Sequence, residues 1–143
     1  MRINDVLRGK ARQDVVTIQP GASVRELIAL LAEHNVGAVI VSSDGSSLEG
    51  IVSERDVVRR LTQGTSALEG TVGQIMSTGV QTCEGSEAVT DLMHLMTEHR
   101  IRHVPVLTDG VLTGIVSIGD VVKHRIDELE FERDQLDQYL HQT

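Results

Sequence analysis

Apolar positions in the first half of the chain change period in a regular order. Val15–Ile18 is a short β-branched run, and after it Val24, Leu27, Ile28 and Leu31 recur at helical spacing. Ser23, with Glu26 three places on, forms a capping box that opens this helix. Gly37 stands just past it, where a C-terminal cap is expected. Ala38–Val41 and Leu48–Val52 flank the turn signal Asp44-Gly45 and read as an antiparallel hairpin. A second helix is predicted over Glu54–Leu61. The order is β-α-β-β-α.

The second half repeats it. Sliding the chain on itself by about 65 places, within the range of repeat lengths worth testing, sets Val80–Cys83 on the first strand and Val89, Leu92, Met93 and Met96 on the first helix. Val104–Leu107 and Leu112–Val116 form the second hairpin around Asp109-Gly110, and Ile118–Ile126 the closing helix. The phrase GIVSERDVV at 50–58 returns as GIVSIGDVV at 114–122. Even the lead-ins Ile3–Leu7 and Val72–Met76 resemble each other. The expected organisation is 1–70 for a lead-in and first repeat, 71–126 for the second, and 127–143 for a helical tail. A unit of about 60 residues buries too little surface to be more than marginal alone. We therefore expect an α/β (α+β) module of two β-α-β-β-α repeats packed sheet to sheet, with a pseudo-two-fold axis and a cleft between the halves.

The tail continues the helical pattern. Val122, Ile126, Leu129, Leu136 and Leu140 follow alternating four- and three-residue steps with Arg133 on the one polar beat, a short heptad-like seam. Lys123 with Asp127 and Arg133 with Asp137 stand at i,i+4 and support an exposed helix. Such a helix either packs back on its own module or makes a dimer contact.

The chain has 143 residues with 40% hydrophobic and 24% charged positions, one Phe, one Tyr and no Trp, so its core must be aliphatic. A net charge of −8 disfavours nucleic acid as the main partner. The single Cys83 excludes an intramolecular disulfide framework or a cysteine-based zinc site, and it reads as a buried strand residue. No apolar run approaches the roughly 20 residues of a membrane span, and the N-terminus lacks the apolar stretch of a secretory signal. The expected setting is the cytoplasm. His94, His99 and His103 have no Cys or acidic partner at ligand-like spacing, so no metal site is expected.

Ser53 with Asp56, and Ser117 with Asp120, stand at strand-to-helix junctions. One reading is purely structural, a serine cap with an acid at the positive end of the helix dipole. The other is chemical. Free N–H groups at a helix start attract phosphate, a serine hydroxyl can donate to it, and a carboxylate one turn on can accept from ribose hydroxyls. Cations gather nearby: Arg55, Arg59 and Arg60 after the first motif, Lys123, His124 and Arg125 after the second, with Arg100, Arg102 and His103 upstream. Arg55, inside the motif, suits phosphate, whereas Arg60 and Arg125 read as solvated.

The duplicated unit resembles the cystathionine β-synthase (CBS) domain, and nearly the whole chain is similar to a stand-alone tandem pair, or Bateman module. GIVSERDVV and GIVSIGDVV carry the resemblance, with GAVIVSSDG at 37–45 and RHVPVLTDG at 102–110. It implies Asp56 and Asp120 as ribose ligands of adenosine nucleotides, with Ser53 and Ser117 on phosphate. It implies an adenine cage from Thr17–Ile18 and Thr82–Cys83, with backbone near Gly37–Val39 and Arg102–Val104, and counts Ile115 of the second motif among the nucleotide-binding residues. The first copy has Gly37-Ala38 where the second has Arg102-His103, so unequal sites are expected, with the stronger at Asp120. No catalytic triad, P-loop or GxGxxG is present. The expected function is non-enzymatic: sensing of AMP, ADP/ATP or NAD, transmitted through a homodimer to an unknown protein target. A constitutive adaptor without ligand is the alternative, and a nucleotide-processing enzyme a remoter one.

Overall fold

Residues 1–10 and 15–141 are described by the computed structural model. A lead-in helix α1 (Ile3–Arg8) precedes β1 (Thr17–Ile18), α2 (Val24–His34), β2 (Ala38–Val41), β3 (Gly50–Ser53) and α3 (Glu54–Leu61). After a 3-10 turn over Thr65–Glu69 the pattern returns as α4 (Val72–Ile75), β4 (Cys83–Glu84), α5 (Val89–His99), β5 (His103–Thr108), β6 (Val111–Ser117) and α6 (Ile118–His141). Each repeat contributes a three-stranded sheet, β1-β2-β3 and β4-β5-β6. In both, the first strand runs parallel to the middle one and the last runs antiparallel to it. No helix among the described residues is long and apolar enough to cross a membrane.

Two aliphatic cores result, and the lead-ins are exchanged between them. Ile3 and Val6 of α1 are buried with Leu92, Val104, Val106 and Val116 of the second repeat, while Val72 of α4 is buried with Leu27, Val39 and Val52 of the first. Full burial of one such side chain stabilises by about 1.5–3 kcal/mol, so the exchange ties together two units that would each be marginal.

The exchange also explains the leading glycine of the duplicated phrase. Each lead-in runs across the other repeat's last strand, with Ile51 and Ser77 trading backbone hydrogen bonds at 3.0 and 2.9 Å. A Cβ on Gly50 would stand 2.8 Å from the Ser77 carbonyl oxygen, and one on Gly114 would stand 2.8 Å from Leu7 Cδ2. At both positions glycine leaves room for the crossing chain, against its backbone at Gly50 and against a side chain at Gly114.

Several boundaries differ from expectation for local reasons. Gly37 does not cap α2: Asn35 takes the left-handed conformation (φ 51°), and Arg100 does the same after α5 (φ 54°). Asparagine tolerates that region through local side-chain hydrogen bonding. The first strand of each sheet keeps only the residues that pair with the middle strand. β3 begins at Gly50 because Glu49 folds back onto the Ser43 backbone N–H and hydroxyl. The expected Ser23–Glu26 capping box closes reciprocally. The tail and last repeat helix form one 24-residue helix, and residues 142–143 of the expected tail lie outside the described residues.

Candidate functional site

The two serine–aspartate pairs form matching boxes where β3 meets α3 and β6 meets α6. The Ser53 N–H donates to Asp56 Oδ2 at 2.8 Å and its hydroxyl does so at 3.0 Å, while the Asp56 N–H donates to Ser53 Oγ at 3.4 Å. In the second box the Ser117 N–H donates to Asp120 Oδ2 at 2.9 Å, and the Asp120 N–H to Ser117 Oγ at 3.1 Å. The capping reading is therefore physically realised in both copies. Among the described residues, every hydrogen bond to either carboxylate falls on Oδ2. Capping thus leaves Oδ1 of each aspartate with lone pairs for a further donor.

Each box opens on a cavity built from both repeats. The Asp56 cavity, about 810 Å³, brings Ser53, Arg55 and Asp56 together with Arg100, Arg102 and His103. The Asp120 cavity, about 470 Å³, brings Ile115, Ser117 and Asp120 against His34–Ala38 of the first repeat, with His103 again on its wall. Both volumes fall within the roughly 300–1,000 Å³ of small-molecule sites. Thr17, Ile18, Thr82 and Val104 line neither cavity, and Val104 is wholly buried in the core. Arg102 thus faces the other repeat's motif. Its backbone carbonyl still accepts from the Ile118 N–H at the start of α6, so the turn between α5 and β5 adjoins the second motif through its main chain and lines the first motif's cavity with its residue. Arg60 lies in a smaller hollow beside Asp56, and Arg125 is 3.4 Å from Glu128.

One side chain at the second box escaped the sequence reading. Lys10, just past α1, places its Nζ 2.9 Å from Asp120 Oδ2 and donates to the Ile115 carbonyl at 2.8 Å. The resemblance between the two lead-ins was its only sequence signal, since such segments follow their helix wherever it docks.

Electrostatics follow from these contacts. Burial works against the Asp120 carboxylate, but the Ser117 N–H and the Lys10 ammonium outweigh it and hold the carboxyl below the ordinary aspartate value. Burial lowers the His103 imidazole below its ordinary 6.5, despite attraction from Asp120 and Glu54. His124 Nε2, on the wall of the Asp120 cavity, is buried without a hydrogen bond among the described residues and lies 3.9 Å from Glu128. Burial, with Glu87 and Glu84 nearby, pushes the Cys83 thiol up to about 12, and its Sγ lies 3.8 Å from the Pro105 carbonyl. It packs as a strand residue, as expected. Among the described residues no three His, Cys, Asp or Glu side chains gather as a metal-binding group.

The family model for the CBS domain matches residues 3–63 and 72–127. The mitochondrial CBS domain-containing protein CBSX3 of Arabidopsis thaliana is 35% identical over 146 residues, 96% of this chain and 71% of its own. A crystal structure of a CBS-domain protein from Agrobacterium tumefaciens superposes with a TM-score of 0.82 at 42% identity, covering 87% of this chain and 99% of that one. A CBS-domain protein of Pyrobaculum aerophilum, solved in complex with AMP, superposes with a TM-score of 0.72 at 28% identity, covering 84% of this chain and 89% of that one. With two β-α-β-β-α units, two Gly-Ile-Val-Ser-x-x-Asp junctions and a family match to each, this chain belongs to the CBS-domain family as a tandem pair.

Proposed function

We propose that the two clefts bind adenosine nucleotides, AMP, ADP/ATP or NAD, and that occupancy is passed on through a homodimer without catalysis. The observation that carries this reading is the division of labour within each carboxylate. Oδ2 closes the helix cap and Oδ1 remains able to accept from a ribose hydroxyl, beside a serine and a helix start suited to phosphate. The AMP complex of the Pyrobaculum relative supports the ligand class. Leu129, Leu136 and Leu140 are 49%, 62% and 65% exposed on α6, which supports that helix as the dimer contact.

Titration with AMP, ATP, NAD and S-adenosylmethionine, followed by thermal melting and product analysis, tests the proposal. A ligand at 100 times its Kd stabilises the native state by about 2.7 kcal/mol, so melting rises with no product formed. Each box is closed by its own reciprocal hydrogen bonds, which favours a constitutive adaptor as the second reading. A melting temperature indifferent to every nucleotide selects the adaptor. Product formation points to an enzyme.

A further inference from the structure

The two clefts carry the same Ser-x-x-Asp frame but different charge. In the Asp56 cleft, Arg55, Arg59, Arg100 and Arg102 stand against two acids, Glu54 and Asp56. Among the described residues, none of those four guanidinium groups makes a hydrogen bond or ion pair to the protein. In the Asp120 cleft, Lys10 and Lys123 stand against Asp120 and Asp127, so formal charges balance among the described residues. Lys10 is already engaged by Asp120 at 2.9 Å, and among the described residues the Lys123 ammonium has no ion pair. The volumes differ in the same direction, about 810 against 470 Å³.

From this we infer that the clefts sort nucleotides by phosphate number. The Asp56 cleft takes a nucleoside di- or triphosphate, and the Asp120 cleft takes a nucleoside with one phosphate or none. The inference rests on the nucleotide reading above and adds which class goes where. A single phosphate carries about −1.5 to −2 charges at neutral pH, and each further phosphate adds negative charge that the excess of guanidinium groups in the Asp56 cleft attracts and the balanced charges of the Asp120 cleft do not. Each further phosphate presents another set of oxygens for a planar guanidinium fork, which matches phosphate geometry better than an ammonium does. Two of the arginines arrive from the first repeat, on α3, and two from the second, around the start of β5. A polyphosphate in that cleft therefore bridges the repeats, whereas a monophosphate at Asp120 engages Lys123 and the α6 N-terminus.

Isothermal titration of the full chain with AMP and with ATP, in EDTA so that the polyphosphate is metal-free, tests the assignment. The Asp120→Ala variant isolates the Asp56 cleft and Asp56→Ala isolates the other, with melting curves to establish that each is folded. ATP is expected to bind Asp120→Ala at least tenfold more tightly than AMP does, and more steeply weakened by salt. In Asp56→Ala, AMP is expected to bind at least as tightly as ATP. Arg55→Gln with Arg102→Gln, at exposed positions that leave both cores intact, should weaken ATP at least tenfold and AMP at the Asp120 cleft by less than twofold. Equal AMP and ATP affinities in Asp120→Ala, or ATP binding unchanged in the arginine variant, would overturn the sorting while leaving nucleotide binding intact. Failure of wild type to bind either nucleotide would overturn both.

Discussion

Alanine at Gly50 and at Gly114 perturbs equivalent positions of the two repeats, but the neighbours differ. At Gly50 the new Cβ meets a backbone oxygen, Ser77 O, at 2.8 Å, with Met76 Sδ equally close. Ser77 cannot retreat freely, because its N–H and C=O are both bonded to Ile51. Restoring an ordinary contact near 3.4 Å therefore stretches two hydrogen bonds, each worth about 0.5–1.5 kcal/mol net, in a site where overpacking costs about 1–3 kcal/mol. At Gly114 the Cβ meets only the side-chain carbons of Leu7, at 2.8 and 3.2 Å, and a leucine can turn away. Both substitutions regain about 0.4–1 kcal/mol by restricting the unfolded chain. We expect Gly50→Ala to destabilise by about 2–3 kcal/mol and Gly114→Ala by about 1 kcal/mol or less. Urea denaturation of the ligand-free proteins measures both, with a common m-value licensing the comparison. Equal losses, or the larger loss at Gly114, would refute the exchange of lead-ins as the reason for these glycines.

Lys10→Met should raise the Asp120 carboxyl toward the ordinary aspartate value, read as a shift of its side-chain carbon resonance in a pH titration; an unmoved resonance would remove Lys10 from the site. His103 has a folded pKa lowered by burial, so its stabilising contribution is fully present above about 6.5 and is lost as pH falls through the lowered folded value. His103→Gln should flatten the stability–pH curve below 6.5, where Asp120, Lys10, Glu54 and Arg102 face the ring in the wild type. Truncation after Glu128 removes Leu129, Leu136 and Leu140 and should raise the monomer fraction in sedimentation at micromolar concentration. An unchanged dimer would place the contact on the helices of the repeats instead.

The repeat was legible because hairpins and amphipathic helices have different apolar periods, and the same alternation is written twice. α3 was predicted over the residues it occupies because Ser53 and Asp56 mark its start. The destination of α1 was not legible: Ile3 and Val6 present the same apolar face whichever core receives it, and only tertiary packing sends it to the second repeat. The same crossing hid Lys10 and the place of Arg102 on the wall of the Asp56 cavity. Sequence comparison pairs residues within a copy, whereas each cleft draws its walls from both. The left-handed end at Asn35 was missed because Gly37 is the stronger compositional signal for a cap and the chain turns two residues earlier, while Arg100 takes the same conformation with no glycine near it to mark the turn.

Calorimetric titration of AMP into wild type and into the Asp56→Ala/Asp120→Ala double variant tests the central claim most directly. Loss of both caps costs about 0.5–2 kcal/mol each, so melting curves first establish that the variant is folded. Removing a charged acceptor for ribose costs about 1.5–3 kcal/mol, and we predict AMP affinity at least tenfold weaker than wild type. Equal AMP affinity in the two proteins would contradict the account and leave both aspartates as helix caps alone.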